Sequence, residues 1–200
     1  MALLVLAPAG VGGYQLLQVT DAKGCPSHLI PAAGPIQLHL FYEQPAQLAA
    51  LKTGALASYL SDRMGRPVHV VAVEQSDETG FRLAAAARPL GSEVLAFLAF
   101  RPSFPNVPTA QGMVDALGFA TPGTACAYVS FLPTTPTLCA LGGATYPVQP
   151  SYPYLAHEMG HLLGLPHGPN GIMGKGVFKV CNADTFSAGE QAVLRGWGYS

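Results

Sequence analysis

The chain has 200 residues, of which half are apolar and only 10% are charged, and its formal net charge is −1. This composition supplies one globular core and excludes an intrinsically disordered chain, and the near-balance of ten basic and eleven acidic residues excludes the strongly basic character typical of nucleic-acid binders. No apolar run approaches the roughly 20 residues that a membrane span needs.

The first 33 residues are rich in glycine and proline and predict an irregular segment, with one short strand at Tyr14–Thr20. Residues 7–9 have the A-x-A form of a cleavage site, but the basic region and long apolar stretch of a complete signal peptide are missing. The apolar run at residues 2–7 is therefore either the stub of a clipped signal or an ordinary buried strand, and residues 1–33 as a whole are interpreted as an irregular signal stub or pro-segment. We expect residues 34–200 to form a single domain.

Periodicity predicts the elements of the central region. Alternating apolar and polar residues indicate a half-buried strand, and a proline followed by apolar residues at helical spacing indicates a long helix that a glycine ends. Apolar and β-branched runs indicate further strands, whereas stretches with many Pro and Gly residues are typical of loops. In chain order these predictions are a strand at Ile36–Tyr42, a helix from Pro45 to Gly65, strands at Val68–Val73, Glu93–Phe100 and Ala125–Phe131, and loops over 101–124 and 133–150.

Two helices are predicted towards the C-terminus. Ser151 can cap a helix from Tyr152 to about Gly164, and the prolines that follow forbid its continuation. A capping box that begins at Ser187 starts a last helix towards Trp197. The resulting order predicts a mixed α/β (α+β) domain with both long helices packed near one sheet.

The sequence HEMGHLLGLPH carries the most specific chemical signal. On a helix, His157 and His161 share one face and can present two imidazoles to one point, while Glu158 lies next to the first of them. Gly164 permits a sharp turn that brings His167 back as a third ligand. Three neutral imidazoles with one open position are the ligand set of catalytic zinc.

The alternative to a metal site is a buried helix with incidental histidines. By simple multiplication of residue frequencies, this spacing of three His, one Glu and one Gly arises by chance in about 2 of 100,000 chains of this composition. The pattern therefore strongly favours a metal site. The other three histidines, His28, His39 and His69, are isolated and are interpreted as surface or strand residues.

This HExxHxxGxxH pattern resembles that of the metzincin metallopeptidases. Those enzymes carry a Met-turn below the metal, and here Met173 follows His167 closely and can form such an apolar floor, although it can equally be a core residue. The predicted element order also resembles the metzincin fold, a mixed twisted sheet with a long backing helix, an active-site helix and a C-terminal helix. The segment looks most like matrixins, but Gly168 after the third His and Gly174-Lys175 after the Met differ from them, and the subfamily stays open.

The resemblance implies a zinc endopeptidase with one catalytic Zn²⁺. Zinc in such a site acidifies a water molecule and polarises the scissile carbonyl, and Glu158 would act as general base and then pass the proton to the leaving amine. No Ser-His-Asp arrangement or GxSxG motif competes with this interpretation. Two alternatives are a zinc-binding pseudo-enzyme and a zinc hydrolase of non-protein amides. A structural Ca²⁺ is not predicted.

The resemblance also suggests where a peptide would bind. The strand that contains Ala127, Tyr128 and Val129 would be the edge to which an extended substrate adds, and Lys175 and Phe178 would line the pocket beyond the cleaved bond. Ordinary sheet and ordinary loop explain these residues equally well. We expect a monomer whose partner is a peptide or protein, with no nucleic acid and no membrane span.

The low charge and the even number of cysteines, four, fit an exported, disulfide-permissive protein, and four buried, reduced thiols are the alternative. Two bridges can connect in three ways, and Cys139–Cys181 is preferred because this pair flanks the histidine segment. Cys25 is expected in the second bridge. The alternatives for Cys25 are a buried thiol and a latency role as a ligand of the zinc. The latency role would leave three other cysteines, one of which could not form a disulfide.

Overall fold

The computed structural model describes Cys25 and residues 34–87, 93–109, 112–120, 123–133, 137–141, 144–148, 151–169, 171–174 and 185–194. The helices and strands, in chain order, are β1 (Ile36–Tyr42), α1 (Pro45–Ala50), α2 (Thr53–Met64), β2 (Val68–Gln75), α3 (Glu78–Ala87), β3 (Glu93–Ala99), β4 (Phe104–Thr109), β5 (Gly112–Ala116), β6 (Gly118–Ala120), β7 (Cys126–Ser130), β8 (Thr137–Leu141), β9 (Ala144–Val148), α4 (Tyr152–Leu162) and α5 (Ala188–Leu194).

A five-stranded sheet forms the centre of the fold, with its strands in the order β2-β1-β3-β7-β6. The first four of these strands run parallel to one another, and β6 pairs antiparallel with β7. Two separate hairpins, β4–β5 and β8–β9, accompany the sheet. The predicted mixed α/β fold is confirmed.

Helices cover both faces of the sheet. On one face, Leu56 of α2 and Met159 of α4 pack in the same buried cluster as Leu38 of β1. On the other face, Phe81 of α3 packs in an aromatic cluster and stacks on Phe97 of β3, with ring centroids 5.3 Å apart. Both faces of the parallel strands are therefore buried, as is usual for such sheets. Helix α4, which carries His157 and His161, packs against the first of these faces.

The helix predicted from Pro45 to Gly65 is two helices. Leu51 has an extended backbone (φ −73°, ψ 108°), which ends α1 and separates it from α2, and its side chain is buried in the core. Burial of this leucine explains the break that helical spacing alone did not indicate. Gly65 ends α2 in the left-handed region (φ 63°), as the sequence predicts.

The side chain of Gln47 connects α1 to the sheet. It is fully buried, and its amide nitrogen donates to the carbonyl oxygens of Leu98 (2.8 Å) and Phe131 (2.9 Å). Its carbonyl oxygen accepts from the backbone nitrogens of Glu43 (2.9 Å) and Gln44 (2.7 Å). One side chain therefore satisfies four backbone groups where β3 and β7 end.

The structure contains elements that the sequence did not predict. Helix α3 begins after Asp77, whose carboxylate accepts from the backbone nitrogen of Gly80 (2.7 Å), so an N-cap signal was present. Strands β4, β5 and β6 lie in the predicted loop 101–124, and the β8–β9 hairpin lies in the predicted loop 133–150, so both loop predictions were wrong. Their prolines are compatible with two-stranded hairpins, in which each strand has an unpaired side.

Strand β7 is not an edge of the sheet, contrary to the prediction for Ala127, Tyr128 and Val129. It pairs with β3 on one side and with β6 on the other, and these three residues are buried. A buried strand with two neighbours has no free backbone groups for a peptide. The edge on this side is β6, whose short Gly-Phe-Ala sequence gave no strand signal.

Cys25 lies in the aromatic cluster next to Cys126, with the two Cα atoms 6.0 Å apart, a separation that suits a disulfide without backbone movement. The rest of the predicted irregular segment 1–33, including Tyr14–Thr20, lies outside the described residues, and so do Cys181 of the other predicted bridge and Trp197. Among the described helices, none has the length and apolar character to cross a membrane.

Candidate metal centre

Helix α4 is buried on nearly all sides, which fixes the positions of its histidines. Leu155, Ala156 and Met159 are at most 2% exposed and pack in the core cluster under the sheet. At the start of the helix, the hydroxyl of Tyr152 donates to the carbonyl oxygen of Lys52 at the junction of α1 and α2 (3.3 Å). The helix therefore cannot shift without disturbing the core.

A left-handed glycine ends α4 and redirects the chain. Gly164 has φ +92°, its nitrogen donates to the carbonyl oxygen of His161 (3.0 Å), and the nitrogen of Leu165 donates to that of Gly160 (2.9 Å). This pair of bonds is a Schellman motif, in which glycine is favoured because a side chain is strained at positive φ. The turn brings His167 back towards the helix, as the sequence predicts.

Three histidines meet at one point. The Nε2 atom of His161 lies 3.0 Å from that of His157 and 3.3 Å from that of His167. The ligand atoms of all three lie within 4.8 Å of one another, and no other group of three or more such residues occurs in the described ranges. His157 is buried, His161 is half-buried and His167 is exposed, so the cluster is reached from solvent on the His167 side.

Backbone carbonyls hold two of the rings in the orientation that a metal requires. Nδ1 of His157 donates to the carbonyl oxygen of Ile172 (2.5 Å), and Nδ1 of His161 donates to that of Leu165 (2.8 Å). Because a carbonyl only accepts, each Nδ1 carries the proton and each Nε2 presents its lone pair to the shared point. Metal-ligating histidines are commonly fixed in this way.

The protonation of these rings also suits a metal. Burial lowers the pKa of His157, and burial together with the charge of His157 lowers the pKa of His161 to about 4. Both imidazoles are therefore neutral at pH 7. Neutral imidazole is the form that binds a divalent cation.

Glu158 lies beneath the edge strand β6. Its side chain is buried, and burial raises the pKa of its carboxyl well above the ordinary value. A Cβ atom placed on Gly118 of β6 would lie only 2.7 Å from Oε1 of Glu158. A nearby divalent cation favours the ionised carboxylate, and a carboxylate with a raised pKa is a stronger base.

The segment after His167 packs closely against α4. Met173 is fully buried, and a Cβ atom on Gly160 would lie 2.6 Å from its sulfur, so the methionine rests on the turn of helix between the first two histidines. The nitrogen of Gly168 donates to the carbonyl oxygen of Met173 (2.8 Å), which closes this segment into a loop. Met173 also belongs to the core cluster, so both interpretations given by the sequence, an apolar floor and a core residue, stay open.

The structure brings together His157, His161, His167 and Met173, the residues of the predicted metal site, around α4 and the turn after it. The predicted pocket residues Lys175 and Phe178 lie outside the described residues. His39 lies 3.6 Å from Glu93 and His69 is exposed on β2, both away from the cluster, while His28 is outside the described residues.

Sequence reasoning missed three participants in the site. The roles of the Leu165 and Ile172 carbonyls cannot be predicted from the sequence, because every residue has a backbone carbonyl and the residue type does not indicate which one will accept from a histidine. Gly118 carried no signal because the strand that contains it was predicted as loop.

Comparison with known proteins gives structural similarities alone. No protein-family model matches the sequence, and no curated protein matches it. Two solved structures are similar in part: a zinc-dependent peptidase from Methanocorpusculum labreanum (17% identity, TM-score 0.46, 78% of this chain and 99% of that one) and an archaemetzincin from Methanopyrus kandleri (19% identity, TM-score 0.46, 84% of this chain and 89% of that one). Neither likeness is close enough to transfer a function, which must be argued from the chain's own residues.

Proposed function

We propose that this protein is a zinc-dependent endopeptidase. The observation that carries the proposal is the meeting of three Nε2 atoms whose rings are held by backbone carbonyls through Nδ1. An all-imidazole set with a solvent-exposed member is the ligand set of a catalytic zinc site rather than of a closed structural one. His157, His161 and His167 would hold the metal.

The chain supplies the remaining chemistry through Glu158. Zinc at this point would polarise the scissile carbonyl and acidify a water molecule. The Glu158 carboxylate would accept a proton as general base and would later deliver it to the leaving amine as general acid. The Glu158 side chain is only 5% exposed, so it is shielded from bulk solvent.

The edge strand β6 is suited to hold an extended peptide. The nitrogen of Ser130 donates to the carbonyl oxygen of Leu117 (2.7 Å), so the backbone groups of Leu117 and Phe119 face β7. By alternation, the N–H and C=O of Gly118 and Ala120 face away from the sheet. A peptide that pairs with this edge would run next to Gly118, the residue that lies against Glu158, which supports action within a chain rather than on a small amide.

Membership of the metzincins, with a matrixin-like zinc segment, is part of this proposal. The HExxHxxGxxH pattern and the buried Met173 packed against α4 support it. The presence of Glu158 disfavours a zinc-binding pseudo-enzyme. The outward-facing backbone groups of β6 disfavour a hydrolase of non-protein amides. We further propose that residues 34–200 form one catalytic domain that acts as a monomer.

We also propose that the protein is secreted or otherwise extracytoplasmic. The close approach of Cys25 and Cys126 supports a disulfide between them, and such bonds persist in oxidising compartments. Peptide mapping by mass spectrometry without reduction should recover these two cysteines in one linked peptide. Alkylation of Cys25 in the native, non-reduced protein would contradict this.

The function is tested by measuring zinc content and casein cleavage in the wild type, with and without 1,10-phenanthroline. We expect one zinc per chain and cleavage that the chelator abolishes. Glu158→Ala should keep zinc and lose turnover by about 10²-fold or more, and His161→Ala should lose the metal. His69→Ala, on the exposed side of β2, is the matched control and should change neither. Full zinc occupancy in His161→Ala, or unchanged turnover in Glu158→Ala, would contradict the assignment.

A further inference from the structure

We propose that Gly118 is a positioning residue for Glu158, because its missing side chain leaves the space in which the carboxylate lies beneath the edge strand. The spatial part of this inference stands on the structure alone. Its effect on catalysis rests on the proposed function, in which Glu158 moves the protons.

The space is too small for any side chain. A Cβ atom on Gly118 would lie 2.7 Å from Oε1 of Glu158, 2.9 Å from its Cγ and 2.9 Å from the carbonyl oxygen of Tyr128. Rotation of the carboxylate tip removes only the first of these contacts. Because the Cγ atom is also too close, even a methyl group at position 118 requires the whole Glu158 side chain to turn away.

Neither backbone can retreat to relieve the contact. On the strand side, β6 pairs with β7, and the ring of Phe119 stacks on that of Tyr128 with centroids 4.5 Å apart and an interplanar angle of 9°. On the helix side, α4 is buried in the core and carries His157 and His161, whose Nδ1 atoms donate to the carbonyl oxygens of Ile172 and Leu165. The Glu158 side chain is therefore the part that moves to relieve the two side-chain contacts, while the contact with the Tyr128 carbonyl is the same whether Glu158 is present or not.

Space, rather than backbone conformation, explains the glycine. Gly118 does not have a positive φ, so its backbone conformation is open to any L-residue. Glycine within a strand is unfavourable because it loses more backbone entropy and offers no side chain for packing. Glycine at position 118 therefore lowers the stability of the strand. The space that its missing side chain leaves is occupied by the side chain of Glu158.

The experiment compares Gly118→Ala with Gly54→Ala, an exposed glycine in α2 whose added Cβ meets nothing within 4 Å. Zinc content, Tm, kcat and KM on a peptide substrate are measured for each. Gly118→Ala is also made in the Glu158→Ala background, where both clashing Glu158 atoms are gone. This second comparison uses Tm and needs no activity.

We expect Gly118→Ala to keep its zinc and, because alanine retains the outward N–H and C=O, to keep KM within about twofold. Its kcat should fall at least tenfold, and its Tm should fall clearly more in the presence of Glu158 than in the Glu158→Ala background. If Gly118→Ala fails to fold alone but folds in that background, the proposal is also supported.

An equal loss of Tm in both backgrounds, or failure to fold in both, would overturn the proposal and place the conflict at the Tyr128 carbonyl. A zinc-loaded Gly118→Ala with the kcat of the wild type would overturn its catalytic part. If the wild type itself cleaves no peptide, the proposed function fails, while the Tm comparison still decides whether Gly118 makes room for Glu158.

Discussion

The imidazole of His161 donates from Nδ1 to the carbonyl oxygen of Leu165, and the nitrogen of the same Leu165 donates back to the last turn of the helix at Gly160. One residue therefore both ends the helix and orients a metal ligand. The turn that contains it depends on Gly164 at φ +92°. Helix termination and ligand orientation are a single structural feature here.

Gly164→Ala should therefore weaken metal binding as well as stability. A side chain in this backbone region costs about 1–2 kcal/mol, and relief of the strain would move both Leu165 and His167. Zinc affinity by competition with a chromophoric chelator should fall at least tenfold. Gly34→Ala is the matched control, since Gly34 has φ +90° and also has open space around its Cβ. Equal zinc affinity in the two variants would contradict the coupling.

Gly160→Ala should disturb the segment below the metal. The new methyl would press on the sulfur of Met173 and lie 3.2 Å from the ring of Phe186. We expect a lower Tm and faster zinc loss to a chelator, and Gly160→Ala with Met173→Ala should recover much of the Tm. Gly54→Ala is a helical glycine in open space and should instead raise stability by about 0.5–1 kcal/mol. A wild-type Tm in Gly160→Ala would show that the contact is readily relieved.

Gln47→Ala should lower stability without changing the metal site. It leaves four backbone groups without their side-chain partner, and we expect a loss of about 2–4 kcal/mol in the free energy of unfolding by urea. The zinc content of the folded fraction should stay the same. Gln75→Ala, at the exposed end of β2, should change stability by less than about 0.5 kcal/mol and provides the comparison.

Tyr128 should make stability fall in alkaline solution. Burial, with a smaller contribution from the charge of Glu78, raises the pKa of its phenol to about 12, although Arg82 opposes the shift. The folded protein then holds a proton that the unfolded chain releases near its ordinary value of about 10. Stability is fully present below pH 10 and is lost as the pH rises through 12. Tyr128→Phe should show a smaller decline of urea stability between pH 9 and 11, and an identical decline would contradict this.

The sequence predicts the histidine cluster well because its determinants are local. Helical spacing places His157 and His161 on one face, and a glycine after the helix returns His167, so no tertiary information is needed. Strand β1 is predicted with its observed bounds for a similar reason, since alternation of apolar residues indicates one buried face.

The features that the sequence did not predict depend on contacts between distant parts of the chain. Strand β6 is three residues long and exists because β7 pairs with it, and the break at Leu51 follows from burial of that side chain against the sheet. The role of Gly118 is visible only when α4 lies below β6. Such positions have no periodicity of their own.

The three candidate ligands, and the two carbonyls that orient His157 and His161, all fall between His157 and Ile172, a separation of 15 residues. Short loops close early in folding because their closure costs little entropy. The histidine cluster can thus form from local contacts, whereas the contact between Gly118 and Glu158 requires β6 to be paired with β7 and packed over α4.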